Sequence, residues 1–99
     1  MPAKISIPQD RLRAFCRRNK IRQLSLFGSV LREDFRSDSD VDVLVEFEPG
    51  VKIGMFALTD MQDELARLFH RNVDLVPQNG LKQAIRSSVL NTAQVIYAA

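Results

Sequence analysis

The feature that most narrows what this chain can fold into is a pair of carboxylates set on alternate residues of one apolar run, Asp40-Val41-Asp42-Val43-Leu44-Val45. Charge alternating with Val and Leu is the pattern of a β-strand, in which residues two apart point to the same face. Asp40 and Asp42 therefore project side by side, while Val41, Val43 and Val45 turn towards a core. Two adjacent carboxylates on a rigid edge repel each other, and a divalent cation with oxygen ligands is the natural remedy. With ten residues between it and Asp40, a Gly28-Ser29 pair stops the apolar run of Leu24, Leu26 and Phe27. Glycine at such a corner lets the backbone come close to a phosphate. The free N–H groups at the start of a helix, with the Ser29 hydroxyl, then donate to its oxygens. Together the two features describe a triphosphate held at Gly28 and Ser29, with Mg²⁺ bridging it to Asp40 and Asp42.

Gly-Ser, ten residues and Asp-x-Asp resembles the signature of the polymerase-β-like nucleotidyltransferase superfamily. The flanking words Leu26-Phe27-Gly28-Ser29 and Ser39-Asp40-Val41-Asp42-Val43-Leu44-Val45-Glu46-Phe47 resemble its small prokaryotic branch, the minimal nucleotidyltransferases. With residue frequencies of roughly 5–7%, four fixed residues at fixed spacing arise by accident in about one chain per thousand of this length. The resemblance implies the nucleotidyltransferase fold, of the α/β (α+β) class: a small mixed β-sheet with helices packed on it. Residues 1–99 are expected to form one domain, with the motif core over residues 21–76. In the resembled superfamily a third carboxylate comes from a following strand, and Asp74, in Val73-Asp74-Leu75-Val76-Pro77, is the position that fits. If that strand lies beside the one bearing Asp40, Asp74 faces the same Mg²⁺ and can accept the proton of an incoming hydroxyl. The plainer reading of Asp74 is a carboxylate at the start of a strand, paired with Arg71, because a lone buried charge is costly. Arg32 matches the arginine that follows Gly-Ser in the family. There is one departure: a small residue and then Arg-Gly commonly follow Gly-Ser-x, whereas this chain has Val30-Leu31-Arg32-Glu33. Leu31 and Glu33 bear on the backbone beyond the phosphate corner and leave the metal ligands intact.

Minimal nucleotidyltransferases are usually the antitoxin half of a pair with a HEPN-type ribonuclease toxin. The resemblance thus implies protein adenylylation, moving AMP from ATP to a tyrosine of the toxin, and a hetero-oligomer with that toxin. A binding-only antitoxin with a residual nucleotide site is one alternative. An RNA-directed nucleotidyltransferase is another, favoured by the basic residues Arg11, Arg13, Arg17, Arg18, Lys20 and Arg22. No aromatic residues interleave these arginines as a single-strand stacking platform needs. A solvated helix face, or a rim that attracts polyphosphate or an acidic partner, is therefore preferred, and nucleic acid is not the expected partner. No apolar run approaches the length of a membrane span, and Met1-Pro2-Ala3-Lys4-Ile5 lacks the apolar core of a signal peptide, so a cytoplasmic protein is expected. The single cysteine, Cys16, reads as a small buried hydrophobe.

Around the motif, Ser6-Ile7-Pro8-Gln9 reads as a capping box opening a helix to about Asn19, with Leu12, Phe15 and Cys16 as its apolar stripe. Strands are expected at Ile21–Phe27, residues 40–47 and Val73–Pro77. A short helix at residues 30–35 presents Arg32 and Arg36 either to phosphate or to Glu33 and Asp34. Glu46 follows Asp42 in phase and is read as solvent-facing. The helix Met55–Phe69 carries Leu58, Met61, Leu65 and Leu68 at helical spacing, with its methionines and phenylalanines assigned to the core. His70, the sole histidine, reads as a helix-end or turn residue and not as a base. A helix is expected at residues 81–90, and residues 93–97 suit either a last helical turn or a short edge strand.

Overall fold

Strand alternation and helical spacing converge on one buried face of a four-stranded sheet. The computed structural model describes residues 7–28, 40–81 and 83–99. In chain order these form α1 (Gln9–Arg18), β1 (Ile21–Phe27), β2 (Val41–Phe47), α2 (Met55–Phe69), β3 (Val73–Pro77), a 3₁₀ turn (Gln78–Gly80), α3 (Gln83–Thr92) and β4 (Gln94–Ala98). The sheet order is β3-β2-β1-β4; β1 runs antiparallel to β2 and to β4, and β2 runs parallel to β3. This is the mixed sheet with helices that the resemblance implied, enlarged by one strand.

The core forms where α1 and α2 press on that face. Leu12, Phe15 and Cys16 of α1 and Met61, Leu65 and Phe69 of α2 meet Leu24 and Leu26 of β1, Val41, Val43 and Val45 of β2, and Leu75 of β3. Residues two apart on a strand and three or four apart on a helix share a face, so each element contributes one stripe to this core, while Ser25 and its partner Leu44 are buried on the other face of the sheet.

Several expectations change at the ends of elements. Ser6 lies outside the described residues, and α1 opens at Gln9 with Pro8 at its N-cap and no capping side chain. The capping-box reading is thereby corrected. The Pro8 carbonyl accepts the Leu12 N–H at 2.9 Å, and the helix is held by burial of its stripe, which outweighs a missing cap. Met55 and Phe56 are not core residues: they are 75% and 89% exposed. Phe56 precedes Leu65 by nine residues, about two and a half helical turns, so it leaves α2 on the side opposite the buried stripe. Met55 is the first residue of α2, at its N-terminal end. His70 caps α2 in the left-handed region at φ 55°, its N–H donating to Ala66 O, and is exposed, as the turn reading expected. The third helix starts two residues later than expected, because the 3₁₀ turn intervenes, and Leu81 buries its side chain before the helix begins. Residues 94–98 form the edge strand of the two alternatives, where Val95, Ile96 and Tyr97 suit the pleated surface next to β1. The helix expected at residues 30–35 lies outside the described residues.

Cys16 is fully buried, and burial pushes its thiol from the ordinary 9.0 up to about 12. A group whose pKa is raised by folding contributes stability that is whole below the unfolded value and lost as pH climbs to the folded one. Denaturant titrations at a series of pH values should show stability falling between pH 9.0 and about 12, with a shallower fall in Cys16→Ala. A thiol reagent should label Cys16 only at the rate of unfolding. Rapid labelling of the native protein would refute this placement.

Candidate active site

Two adjacent strands, β2 and β3, carry the predicted carboxylates to one end of the sheet, and β1 brings the glycine corner beside them. The register pairs Phe27 of β1 with Asp42 of β2, and Asp42 with Asp74 of β3. Residues in lateral register on neighbouring strands share a face at about 4.8 Å strand spacing, so Asp42 and Asp74 stand beside each other. That face is opposite the one on which Val41, Val43 and Val45 are buried. The condition set from the sequence, that the strand of Asp74 lies next to that of Asp42, is met because α2 carries the chain back to start β3 parallel to β2. Asp40 lies one residue ahead of β2 and is exposed, Asp42 is half-buried, and Asp74 is exposed. The Val41 N–H donates to Asn72 O at 2.9 Å, which ties the chain leaving Asp40 to the chain entering β3.

Gly28 closes the site from the β1 side. Its φ of 77° lies in the region that favours glycine, and a Cβ built on it would fall 2.3 Å from Asp42 Oδ2. The glycine backbone therefore rests directly against the Asp42 carboxylate, and no other residue type fits there without displacing it. Ser29 and Arg32, the other two expected nucleotide-binding residues, lie outside the described residues.

One supporting residue was not anticipated. Gln62 of α2 accepts the Leu75 N–H through Oε1 at 2.9 Å, fixing β3 one residue beyond Asp74. Its only sequence signal is a polar residue beside the buried Met61. Glu46 also departs from its solvent-facing reading: it is half-buried, and Arg22 Nη1 lies 3.6 Å from its Oε2. The two residues sit near each other on paired antiparallel strands, which gives each a neighbour of opposite charge. Elsewhere in the basic cluster, Arg18 pairs with Glu64 and Arg13 lies 3.7 Å from Asp10, in keeping with a solvated helix face.

As they stand, the described residues include no group of three or more His, Cys, Asp or Glu placed to hold a metal ion. The donor chemistry at this end of the sheet is nonetheless all oxygen, from Asp40, Asp42 and Asp74, which suits a hard divalent cation and not a soft one.

A parallel β2–β3 pair with in-register carboxylates, faced by a glycine corner, is the frame of a nucleotidyltransferase, and the chain belongs to the family described as nucleotidyltransferase domain, whose pattern matches residues 10–96. It is similar to the protein adenylyltransferase MntA of Thermococcus cleftensis, with 36% identity over 77 residues that cover 78% of this chain and 74% of that protein. Its fold is similar to a solved structure provisionally described as a minimal nucleotidyltransferase, with a TM-score of 0.69, 31% identity, and coverage of 90% of this chain and 87% of that one. A chain in the complex of a tri-AMPylated Shewanella oneidensis HEPN toxin with an MNT antitoxin has the same fold, with a TM-score of 0.67 at 19% identity over 92% of this chain and 70% of that one.

Proposed function

We propose that this protein is an Mg²⁺-dependent adenylyltransferase that moves AMP from ATP to a tyrosine hydroxyl of a cognate HEPN-type ribonuclease toxin, and so acts as its antitoxin. The observation that carries the reading is the lateral register of Asp42 with Asp74 against the Gly28 corner. Two features add to it: the 36% identity to a protein adenylyltransferase, and the fold shared with an antitoxin bound to its toxin.

In this reading Asp40, Asp42 and Asp74 hold the cation, and the chain acts as a single domain. Bound Mg²⁺ supplies neutralisation of the polyphosphate charge and a fixed geometry for the reacting oxygens. The Gly28 backbone and the Ser29 hydroxyl grip the triphosphate, with Arg32 pairing to it. The acceptor oxygen attacks the α-phosphorus of ATP, forming an O–P bond. The bond from that phosphorus to the oxygen bridging to the β-phosphate breaks, pyrophosphate leaves, and the hydroxyl proton passes to Asp74. A ribonuclease toxin acts where RNA is, so the site of action is the cytoplasm.

Intact-mass spectrometry of the partner toxin, after incubation with this protein, ATP and Mg²⁺, tests the proposal. The expected result is a gain of one or more AMP masses on the toxin that disappears when its tyrosines are replaced by phenylalanine. No gain in mass from a stable complex of the two proteins would leave a binding-only antitoxin in its place.

A further inference from the structure

The two edges of the sheet are treated differently by their own chain. On β3, the Leu75 N–H that faces away from β2 is taken by Gln62, Asp74 puts a charge on the strand, and Pro77 ends it without a donor. Charge, proline and a covering side chain are the devices that stop an edge strand from pairing with another chain. On the opposite edge, β4 reads Gln94-Val95-Ile96-Tyr97-Ala98, with no charge and no proline, and among the described residues no strand pairs with its outer side. Alternate residues of an edge strand direct N–H and C=O groups outwards, so β4 presents a template for one more strand.

Beside that edge runs α1, and between them lies an open groove of about 610 Å³. Ile96 and Tyr97 give it apolar surface, while Arg13 and Arg17 line its α1 side, with Glu48 the one carboxylate side chain in the lining. Arg13 and Arg17 are four residues apart on α1 and both exposed, so their guanidinium groups form one basic lip.

We propose that the β4 edge docks an extended, acidic segment of a partner protein, which adds to the sheet as a fifth strand and sets alternate carboxylates against Arg13 and Arg17. Main-chain hydrogen bonds along β4 supply the affinity, and the basic lip selects the charge of the strand. A second copy of this chain is a poorer occupant, because two-fold pairing of β4 with β4 would bring two such lips together. The edge lies two strands away from Asp42, so this surface is independent of the adenylyl transfer proposed above.

The test titrates the full chain, followed by amide NMR, with a short capped peptide alternating valine with glutamate and with the same peptide carrying lysine in place of glutamate. The acidic peptide should shift the amides of residues 94–98 and slow their hydrogen exchange, and the lysine peptide should bind about tenfold more weakly. In the Arg13→Glu, Arg17→Glu double variant, with its spectrum showing an intact fold, the preference should reverse. Equal binding of the two peptides, or no shift at β4 with either, would overturn the proposal. So would dimerisation of the chain alone that protects the same amides, which would assign the edge to a second copy.

Discussion

Gly28→Ala should cost AMP transfer about a hundredfold or more, the scale set by displacing a reacting group by about an ångström. The reason is local. A methyl group at this position would fall 2.3 Å from Asp42 Oδ2, well inside contact distance, and the φ of 77° already strains any residue with a Cβ. Either Asp42 swings away from Asp74, or the corner that leads into Ser29 shifts; both outcomes separate the phosphate grip from the carboxylates. The backbone strain itself is on the order of 1–2 kcal/mol, which a domain of ordinary stability survives. Activity and folding should therefore part company: circular dichroism and a cooperative melt close to wild type, with the rate of mass gain on the toxin collapsed. A Gly28→Ala protein that transfers AMP at the wild-type rate would show that the corner does not govern the position of Asp42.

The parts of this site that were legible in the chain are those set by short-range pattern. The bounds of β1 match their expectation because Leu24, Leu26 and Phe27 end at a glycine, and β2 follows from an alternation of charged with apolar residues that is broken only at Leu44, less one residue at Asp40. Asp74 was legible as a charge in an apolar strand, but its neighbour was not. Lateral register with Asp42 depends on the α2 crossover, a tertiary event to which no local window has access. The same reason hides the Glu46–Arg22 pair, whose partners lie on different strands, and the Gln62 contact to β3. Met55 and Phe56 fail in another way. Their chemistry says core; the phase of Phe56 on the helix and the place of Met55 at the start of α2 say surface. Residues 93–97 were undecidable because β-branched and aromatic residues serve a helix end as well as an edge strand; the open side of β1 decides it.

Asp42→Asn and Asp74→Asn should each lower AMP transfer on the order of a hundred- to a thousandfold, the range seen when one group that stabilises developing charge is removed. The effect of Asp74→Asn on stability should run the other way. Two carboxylates in lateral register on neighbouring strands repel each other, a cost of about 0.2–1 kcal/mol for like charges placed opposite, with the lower end fitting an exposed partner such as Asp74. Asparagine keeps the shape and removes one charge, so Asp74→Asn should melt at the wild-type temperature or slightly above it without Mg²⁺. Adding Mg²⁺ with a non-hydrolysable ATP analogue reverses the order. A ligand that binds only the folded state stabilises it by RT ln(1 + [L]/Kd), so the wild type should gain several degrees while the variants, with their raised Kd, gain little. The crossing of the two melting curves is what separates a metal-binding pair from a merely structural one. If wild type and Asp74→Asn rise together on addition of Mg²⁺ and nucleotide, Asp74 is not a ligand. If both carboxylates prove dispensable for the shift while transfer is still lost, their work lies with the acceptor hydroxyl, and Asp74 remains the base that receives its proton.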